Sequence, residues 1–396
     1  MNLKINKDIK DYWSIFLCFF FIIQPKIFTQ YTVTIILYII GNLFIFILYI
    51  TKIPERKIRI PKILFLWGGV RIYLLLTMLI NKNIIDMNQW GYMTLQVSNI
   101  ILVISYYIQQ GKEKKLLSAI SFLCMIYLAI NTFSLLCFPD GIIPANNIYD
   151  NGDGDYYFLG IKVTYTTYII PAITVSGLYA LCYKEKIMFI MIILLSLFNI
   201  FYANISTAKI CLVIFILLFL LRKIKLMRKI NIGWIILVTI ISNILVVGFN
   251  AHMIFSSLIQ NVLHKSLTLT GRTEIWLNAK IVLVKQGMFY FLFGNGIYNG
   301  GAFVPLGDSY WVAHNQWLQY VYEYGIVGIA IFLIFLIMLD RFRKIYSTER
   351  YFILCICAIT LFGTITMQYL DNAHIYIPFI FLYYIHYYIQ PKKERI

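Results

Sequence analysis

The sequence is poor in charge, and acidic residues are especially scarce. Only 13% of its 396 residues are charged, with 17 acidic residues against 34 basic ones. A soluble domain carries about 25% charged and about 45–50% apolar residues, whereas 61% of this chain is hydrophobic. The composition therefore excludes an ordinary water-soluble fold. It predicts an all-α, polytopic integral membrane protein.

Cysteine and histidine are also few, and the cysteines are badly placed for metal chemistry. All seven cysteines fall in apolar segments, at positions 18, 124, 137, 182, 211, 355 and 357. None has the spacing of a zinc site or of a disulfide framework. We therefore predict no metal and no cofactor, and we interpret the cysteines as small core residues.

Long apolar runs are abundant. About 20 apolar residues cross the hydrocarbon core of a bilayer as a helix, and on this basis we predict about twelve transmembrane helices. They lie near 12–24, 31–50, 63–81, 90–109, 116–138, 163–183, 187–204, 207–221, 231–249, 317–339, 351–370 and 375–389. Three parts follow: nine N-terminal helices over 1–249, a long external loop over 250–316, and three C-terminal helices with a cytoplasmic tail over 317–396.

Basic residues alternate sharply between the segments that join these helices. With the N-terminus inside, 25 of the 34 basic residues fall in cytoplasmic segments and seven in external ones. This asymmetry is the positive-inside pattern of multi-pass proteins. It predicts a protein of the cytoplasmic (inner) membrane with both termini in the cytoplasm. It also accounts for the net charge of +17 without a nucleic-acid partner.

The external loop carries the polar motifs of the chain. It contains GRTEIW at 271–276, FGNGIYNGG at 293–301 and AHNQW at 313–317. The segment that begins at Arg272 has the periodicity of an amphipathic surface helix, with apolar residues along one face. Chains that only transport usually keep their charged groups within the membrane spans. A loop of this kind therefore indicates an enzyme that acts outside the membrane.

A histidine and several cations lie near the outer ends of the predicted helices. His314 opens the tenth span, Arg272 begins the surface helix, and Lys209 begins the eighth span. Arg71 lies within the third span, where a buried arginine is costly and has either a functional or a structural partner. This combination suits a phosphate-bearing lipid, although a lone histidine is more often structural.

The order of these motifs resembles the O-antigen polymerase and ligase family of bacterial surface-polysaccharide assembly. The matching residues are Gly271-Arg272…Trp276, Phe293-Gly294-x-Gly296 and His314-Asn315-x-x-Leu318…Glu323-x-Gly325-x-x-Gly328. The chain departs from the family at Val163, where asparagine is common, and at Lys209, which stands two residues after the usual arginine position.

The resemblance implies polymerisation of undecaprenyl-pyrophosphate-linked oligosaccharide repeats into O-antigen or capsular polysaccharide. The transfer would invert the anomeric carbon, need no metal, and take place on the outer face of the membrane. His314 would be the general base and Arg272 the pyrophosphate ligand. The remaining expected substrate-binding residues are Lys209, Arg71, Asn315, Glu323 and Trp276. Expected partners are the lipid-linked oligosaccharides, membrane lipid, a chain-length regulator and a flippase.

Two alternatives remain open at this point. An O-antigen ligase would use similar chemistry but would transfer the glycan to a lipid core. A lipid-linked oligosaccharide flippase or another secondary transporter would also have about twelve spans, although flippases generally lack a long outer loop with an HN motif at its end.

Overall fold

The computed structural model describes residues 2–54, 59–81, 86–144, 155–225, 227–257, 260–261, 269, 271–297 and 301–389. Nearly all of its regular structure is helical. The α-helices are α1 (Asn2–Ile22), α2 (Thr32–Ile50), α3 (Lys62–Asn81), α4 (Met87–Gln109), α5 (Glu113–Cys137), α6 (Tyr165–Tyr183), α7 (Ile187–Tyr202), α8 (Ser206–Leu220), α9 (Ile232–Asn243), α10 (Arg272–Lys285), α11 (Met288–Phe293), α12 (Gln316–Leu339), α13 (Thr348–Gly363), α14 (Ile377–Tyr383) and α15 (His386–Ile389). Two strands, β1 (Val304–Leu306) and β2 (Ser309–Trp311), form an antiparallel hairpin.

Each of the twelve predicted segments contains a helix in the structure. Six helices of the described residues are long and apolar enough to cross a membrane: α2, α3, α4, α5, α6 with the short turn before it, and α12. Shorter apolar helices occupy 187–202, 232–248 and 373–383. The structure therefore supports a polytopic, membrane-embedded helical protein, whereas the number twelve stays a prediction.

Burial divides these helices into a central set and a peripheral set. In α6, 78% of the most apolar stretch is buried inside the protein, against 22% in α2. The interior faces carry small and polar residues, which let helices approach closely in a bilayer. Gly177 of α6, for example, packs so tightly against the Phe352 ring that an added Cβ would lie 2.2 Å from it. The outward faces of α2 carry exposed leucine, isoleucine and phenylalanine, as expected where helices meet lipid.

The long helix α12 is kinked at Gly325, which adopts φ 65° and ψ 178°. A Cβ at Gly325 would lie 2.4 Å from the backbone nitrogen of Gly294 and from the carbonyl oxygen of Leu292. Only glycine can occupy this position, because both the left-handed backbone and the close approach exclude a side chain. The GxG part of the loop motif at 293–296 therefore packs directly against the backbone of α12.

The kink would leave carbonyl groups of α12 without their helical partners, and the loop satisfies two of them. The amide of Asn295 donates to the carbonyl of Tyr322 at 2.7 Å, and the amide of Gly296 donates to the carbonyl of Glu323 at 2.9 Å. Helix α3 holds the same segment through Asn81, whose Nδ2 donates to the Gly294 carbonyl at 2.9 Å. These bonds make residues 293–296 part of the helical bundle.

The predicted apolar face of α10 is buried, but its opposite face is not polar. The buried residues are Ile275, Trp276, Ala279 and Leu283. Leu277, Ile281 and Val284 are exposed together with Glu274 and Lys285, so the predicted amphipathic pattern holds for one face only. The buried face packs against β1 and against Phe303 and Ala313. Strands β1 and β2, which follow residues 293–296, pair across a turn at Gly307.

Candidate active site at the start of α12

His314 lies between the hairpin and α12 in an unusual backbone conformation. Its φ of 48° is in the left-handed region, which costs a non-glycine residue of order 1–3 kcal/mol and is found mainly at functional sites. The Trp311 ring lies 6.4 Å from the imidazole, centroid to centroid. Because the next residue, Asn315, caps α12, the left-handed turn directs the histidine side chain at the helix entrance.

Arg272 lies close enough to His314 for its charge to act on the imidazole. Burial, and to a smaller extent the positive charge of Arg272, lowers the pKa of His314 to about 4. The guanidinium of Arg272 also contacts the sulfur of Met367 at 3.8 Å, and its charge acts on the hydroxyl of Tyr369. We call Arg272, His314 and Tyr369 the outer cluster. At neutral pH the imidazole of His314 is uncharged. The formal charge of the outer cluster therefore comes from Arg272 and is positive.

The first turn of α10 adds to this positive potential. Arg272 is the first residue of that helix, and its N-cap, Gly271, has no side chain with which to cap it. A helix N-terminus carries a partial positive charge that favours anions. The charge of Arg272 and the N-terminus of α10 therefore reinforce each other in favouring an anion.

Asn315 has a structural role in the described residues. It is fully buried, and its Oδ1 accepts the amide of Leu318 at 2.8 Å as the N-cap of α12. Its Nδ2 donates to Asn243 Oδ1 at 2.6 Å and to the Ile365 carbonyl at 2.7 Å. An N-cap asparagine of this kind stabilises a helix by about 1 kcal/mol. It fixes α12 against α9 and the segment after α13, and therefore fixes the position of His314.

Two glutamines extend from this point down one face of α12. Gln316 Nε2 donates to Asp371 Oδ1 at 2.9 Å, and its Oε1 accepts the amide of Leu370 at 2.9 Å. Gln319 Nε2 donates to Glu323 Oε1 at 2.7 Å. Both glutamines are almost completely buried. They connect the histidine turn to two carboxyl groups deeper in the protein.

These carboxyl groups face Arg71 across a small cavity. The cavity has a volume of about 20 Å³ and is lined by Arg71, Gln89, Met93, Ile297, Tyr320, Glu323, Tyr324, Leu370, Asp371 and Tyr376. We call it the carboxylate pocket. Burial raises the pKa of Asp371, which lies in the turn after α13. Glu323 is 5% exposed, and Asp371 is partly exposed.

Arg71 belongs to this pocket, and no contact of the described residues joins it to Arg272. Its Nε donates to Thr94 Oγ1 at 2.8 Å, its Nη1 to the Tyr324 hydroxyl at 3.1 Å and its Nη2 to the Trp90 carbonyl at 2.9 Å. The guanidinium also lies 5.4 Å from the Trp67 ring. The buried arginine is therefore well solvated by protein groups, and it presents positive charge to Glu323 and Asp371.

The other two predicted site residues lie apart from these clusters. The Lys209 ammonium hydrogen-bonds Asn204 Oδ1 and lies 5.6 Å from the ring of Phe201. Trp276 is 1% exposed and faces the core below α10, where its Nε1 has no hydrogen-bond partner in the described residues. In this conformation Trp276 supports α10 and cannot stack on a sugar ring.

Sequence reasoning missed Gln316, Gln319 and Asp371. The first two share a helix face with Glu323, at spacings of three and four residues, and this polar stripe on an apolar helix was a usable signal. Asp371 stands between two apolar segments and belongs to no motif. The one feature of the sequence that could have pointed to Asp371 is that acidic residues are scarce in this chain.

Comparison with known proteins adds no assignment. No family model matches the chain, and no curated protein or solved structure shows significant similarity to it. The resemblance to O-antigen polymerases therefore rests on the order and spacing of the motifs.

Proposed function

We propose that this protein polymerises oligosaccharide repeats linked to undecaprenyl pyrophosphate, by glycosyl transfer at the outer cluster. The observation that carries the proposal is the placement of Arg272 beside His314. Three separate motifs of the resemblance, at 271–276, 293–296 and 314–328, meet around the start and kink of α12. Motifs that are distant in sequence but adjacent in space are what a shared active site requires.

Arg272 has the chemistry to bind the pyrophosphate of the donor. Its guanidinium can form two parallel hydrogen bonds to phosphate oxygens, and the N-terminus of α10 adds favourable potential. As the bond between the anomeric carbon and the phosphate oxygen breaks, negative charge accumulates on the pyrophosphate. A fixed positive charge at this position stabilises the transition state more than the ground state.

His314 has the chemistry to accept the proton of the attacking hydroxyl. A pKa of about 4 in the unliganded protein leaves the imidazole neutral at pH 7, with a free lone pair. A bound pyrophosphate would offset the charge of Arg272 and place negative charge near the ring. Both changes raise the pKa of His314 toward its ordinary value. The histidine therefore becomes a stronger base when the donor is bound, which limits wasteful reaction in its absence.

The test is deletion of the gene followed by gel analysis of the surface glycan. Loss of a polymerase should leave single repeats on the outer surface, and plasmid-borne wild-type protein should restore the ladder. Polymer that accumulates on the carrier lipid would instead show a ligase. Single repeats trapped on the inner face of isolated membranes would show a flippase.

Orientation is a separate requirement of the proposal. A reporter fused at position 345 should behave as cytoplasmic, and one fused at 308 as external, because the basic residues are concentrated on the predicted inner side. An external signal at 345 would place the outer cluster in the cytoplasm and contradict the proposal.

A further inference from the structure

The carboxylate pocket contains acceptor atoms that have no donor. Glu323 Oε1 accepts from Gln319, but Oε2 accepts no hydrogen bond from any residue that the structure describes. Asp371 Oδ1 accepts from Gln316, and its Oδ2 likewise has no donor in the described part of the chain. Both side chains line the same cavity. Neither oxygen is among the fully buried polar atoms that lack a partner, so both remain accessible, and a group that donates hydrogen bonds can reach them from the cavity.

The charges in and around the pocket argue against a cation as that group. Arg71 lines the pocket, and the positive charge of Lys26 also acts on Asp371. Even if both carboxyl groups are ionised, these two cations balance them. The required ligand is therefore neutral and donates hydrogen bonds.

The size of the pocket further restricts the kind of group that can bind in it. A volume of about 20 Å³ admits a single water-sized group. Asp371 is partly exposed, so the pocket is open on that side. A hydroxyl group on a larger molecule satisfies both conditions, because the hydroxyl can enter the pocket while the rest of the molecule stays outside it.

The carboxylate pocket lies next to the outer cluster. Gln316 contacts Asp371 and lies two residues after His314. On the other side, Tyr369 of the outer cluster lies two residues before Asp371 in the same 3₁₀ turn. The two sites are therefore neighbours joined by short, buried connections.

We propose that the carboxylate pocket binds a hydroxyl group of the acceptor sugar, with Glu323 and Asp371 as its hydrogen-bond acceptors. This inference rests on the proposed function and adds to it a division of the active site. The outer cluster binds the donor pyrophosphate, and the pocket holds the acceptor sugar beside it. Glu323 and Asp371 are thus specificity residues, since they would reject a sugar that lacks the hydroxyl.

The experiment uses a ligand that lacks the pyrophosphate bound by the donor site. Single repeats extracted from the deletion strain are released from their carrier by mild acid, which gives a free oligosaccharide without lipid or pyrophosphate. Its dissociation constant is measured by saturation-transfer NMR on the full-length protein in lipid nanodiscs. Glu323→Gln and Asp371→Asn should each weaken binding roughly tenfold, because each replaces a carboxyl oxygen by an amide nitrogen that cannot accept a hydrogen bond. Asp371→Glu should restore part of the affinity.

The controls separate a local effect from loss of structure. Asp308→Asn removes an exposed carboxylate from the turn of the hairpin and should leave binding unchanged. Thermal unfolding of each purified variant identifies any that is misfolded. Asp371 is partly exposed, so Asp371→Asn keeps the test valid if Glu323→Gln fails to fold.

Failure of this inference differs from failure of the proposed function. Equal affinities for wild type, Glu323→Gln and Asp371→Asn would show that the pocket holds only a structural water. The inference would also be overturned if the wild-type protein showed no detectable binding. An intact polymer ladder would then still support the proposed function. A deletion strain that accumulates no single repeats would remove the proposed function itself, before any binding is measured.

Discussion

Two groups of buried charge lie near the two ends of α12, and they differ in how completely their polar atoms are satisfied. At the C-terminal end, both oxygens of Asp340 accept hydrogen bonds from Arg350, at 2.7 to 3.1 Å. Asp340 also accepts the amide of Ile232 at 3.1 Å. Near the other end, Glu323 and Asp371 each leave one oxygen without a donor among the described residues.

The difference separates a structural role from a binding role. Asp340 and Arg350 are 3% and 2% exposed, and they connect α12, α13 and the first turn of α9. Such a pair is complete without any ligand. The outer end of α12 combines a left-handed histidine, a cation beside it and carboxylate oxygens that lack donors. Proteins accept such local costs where a substrate removes them.

The largest expected effect is at His314. We predict that His314→Gly lowers the rate of chain extension by about 10²–10⁴-fold and raises the stability of the protein by about 1 kcal/mol, because glycine relieves the left-handed strain. The rate is measured with extracted lipid-linked repeats, and the stability by thermal unfolding in detergent. A variant that is less stable, or that extends chains at a near-normal rate, would contradict the assignment.

Breaking the ion pair of Asp340 and Arg350 should have the opposite effect: a large loss of stability and little change in the rate of chain extension. Asp340→Ala leaves the guanidinium of Arg350 buried without its partner and should cost about 3–5 kcal/mol of stability. The molecules that do fold should extend chains normally. The double variant Asp340→Leu with Arg350→Met should recover most of the lost stability, since it removes both charges together. Equal instability of the single and double variants would mean that the pair does more than balance its own charges.

Arg272→Lys tests the geometry of the donor site. Lysine keeps the positive charge but loses the bidentate arrangement of donors, so the rate should fall by roughly 10–100-fold. The matched control is Lys209→Arg, at a residue whose ammonium hydrogen-bonds Asn204 and lies near the ring of Phe201, and it should change the rate little. Full activity of Arg272→Lys in the same assay would remove bidentate binding from the mechanism.

The smallest expected effect is a separation of two pH profiles. His314 must be unprotonated to act, and its pKa of about 4 applies to the free protein. The profile of kcat/KM should therefore stay level as the pH falls from 8 to about 5. The profile of kcat reports the loaded protein, in which the pKa is higher, and should decline at a higher pH. Coincident acid limbs would show that donor binding does not change the environment of His314.

The helices and the buried face of α10 could be predicted because they follow from local signals. Apolar runs specify helices in a membrane, and the spacing of Ile275, Ala279 and Leu283 specified the buried face of α10. The pocket could not be predicted, because Asp371 reaches it through a turn whose path depends on the packing of α13 and α14. Trp276 shows the opposite error: an aromatic residue in a motif was taken for a ligand contact, whereas the fold uses it as core.

The docking of residues 293–296 on the kinked helix has a consequence for how substrates arrive. Lifting this segment would expose the carbonyls of Tyr322 and Glu323 and break the bond from Asn81 to Gly294. Each buried group left unsatisfied costs about 1–3 kcal/mol. The segment is thus held too firmly to act as a hinged cover. Under the proposed function, the long polyprenyl chains would then enter sideways from the outer leaflet, so that their arrival would be a two-dimensional search within the bilayer and its rate would follow membrane fluidity.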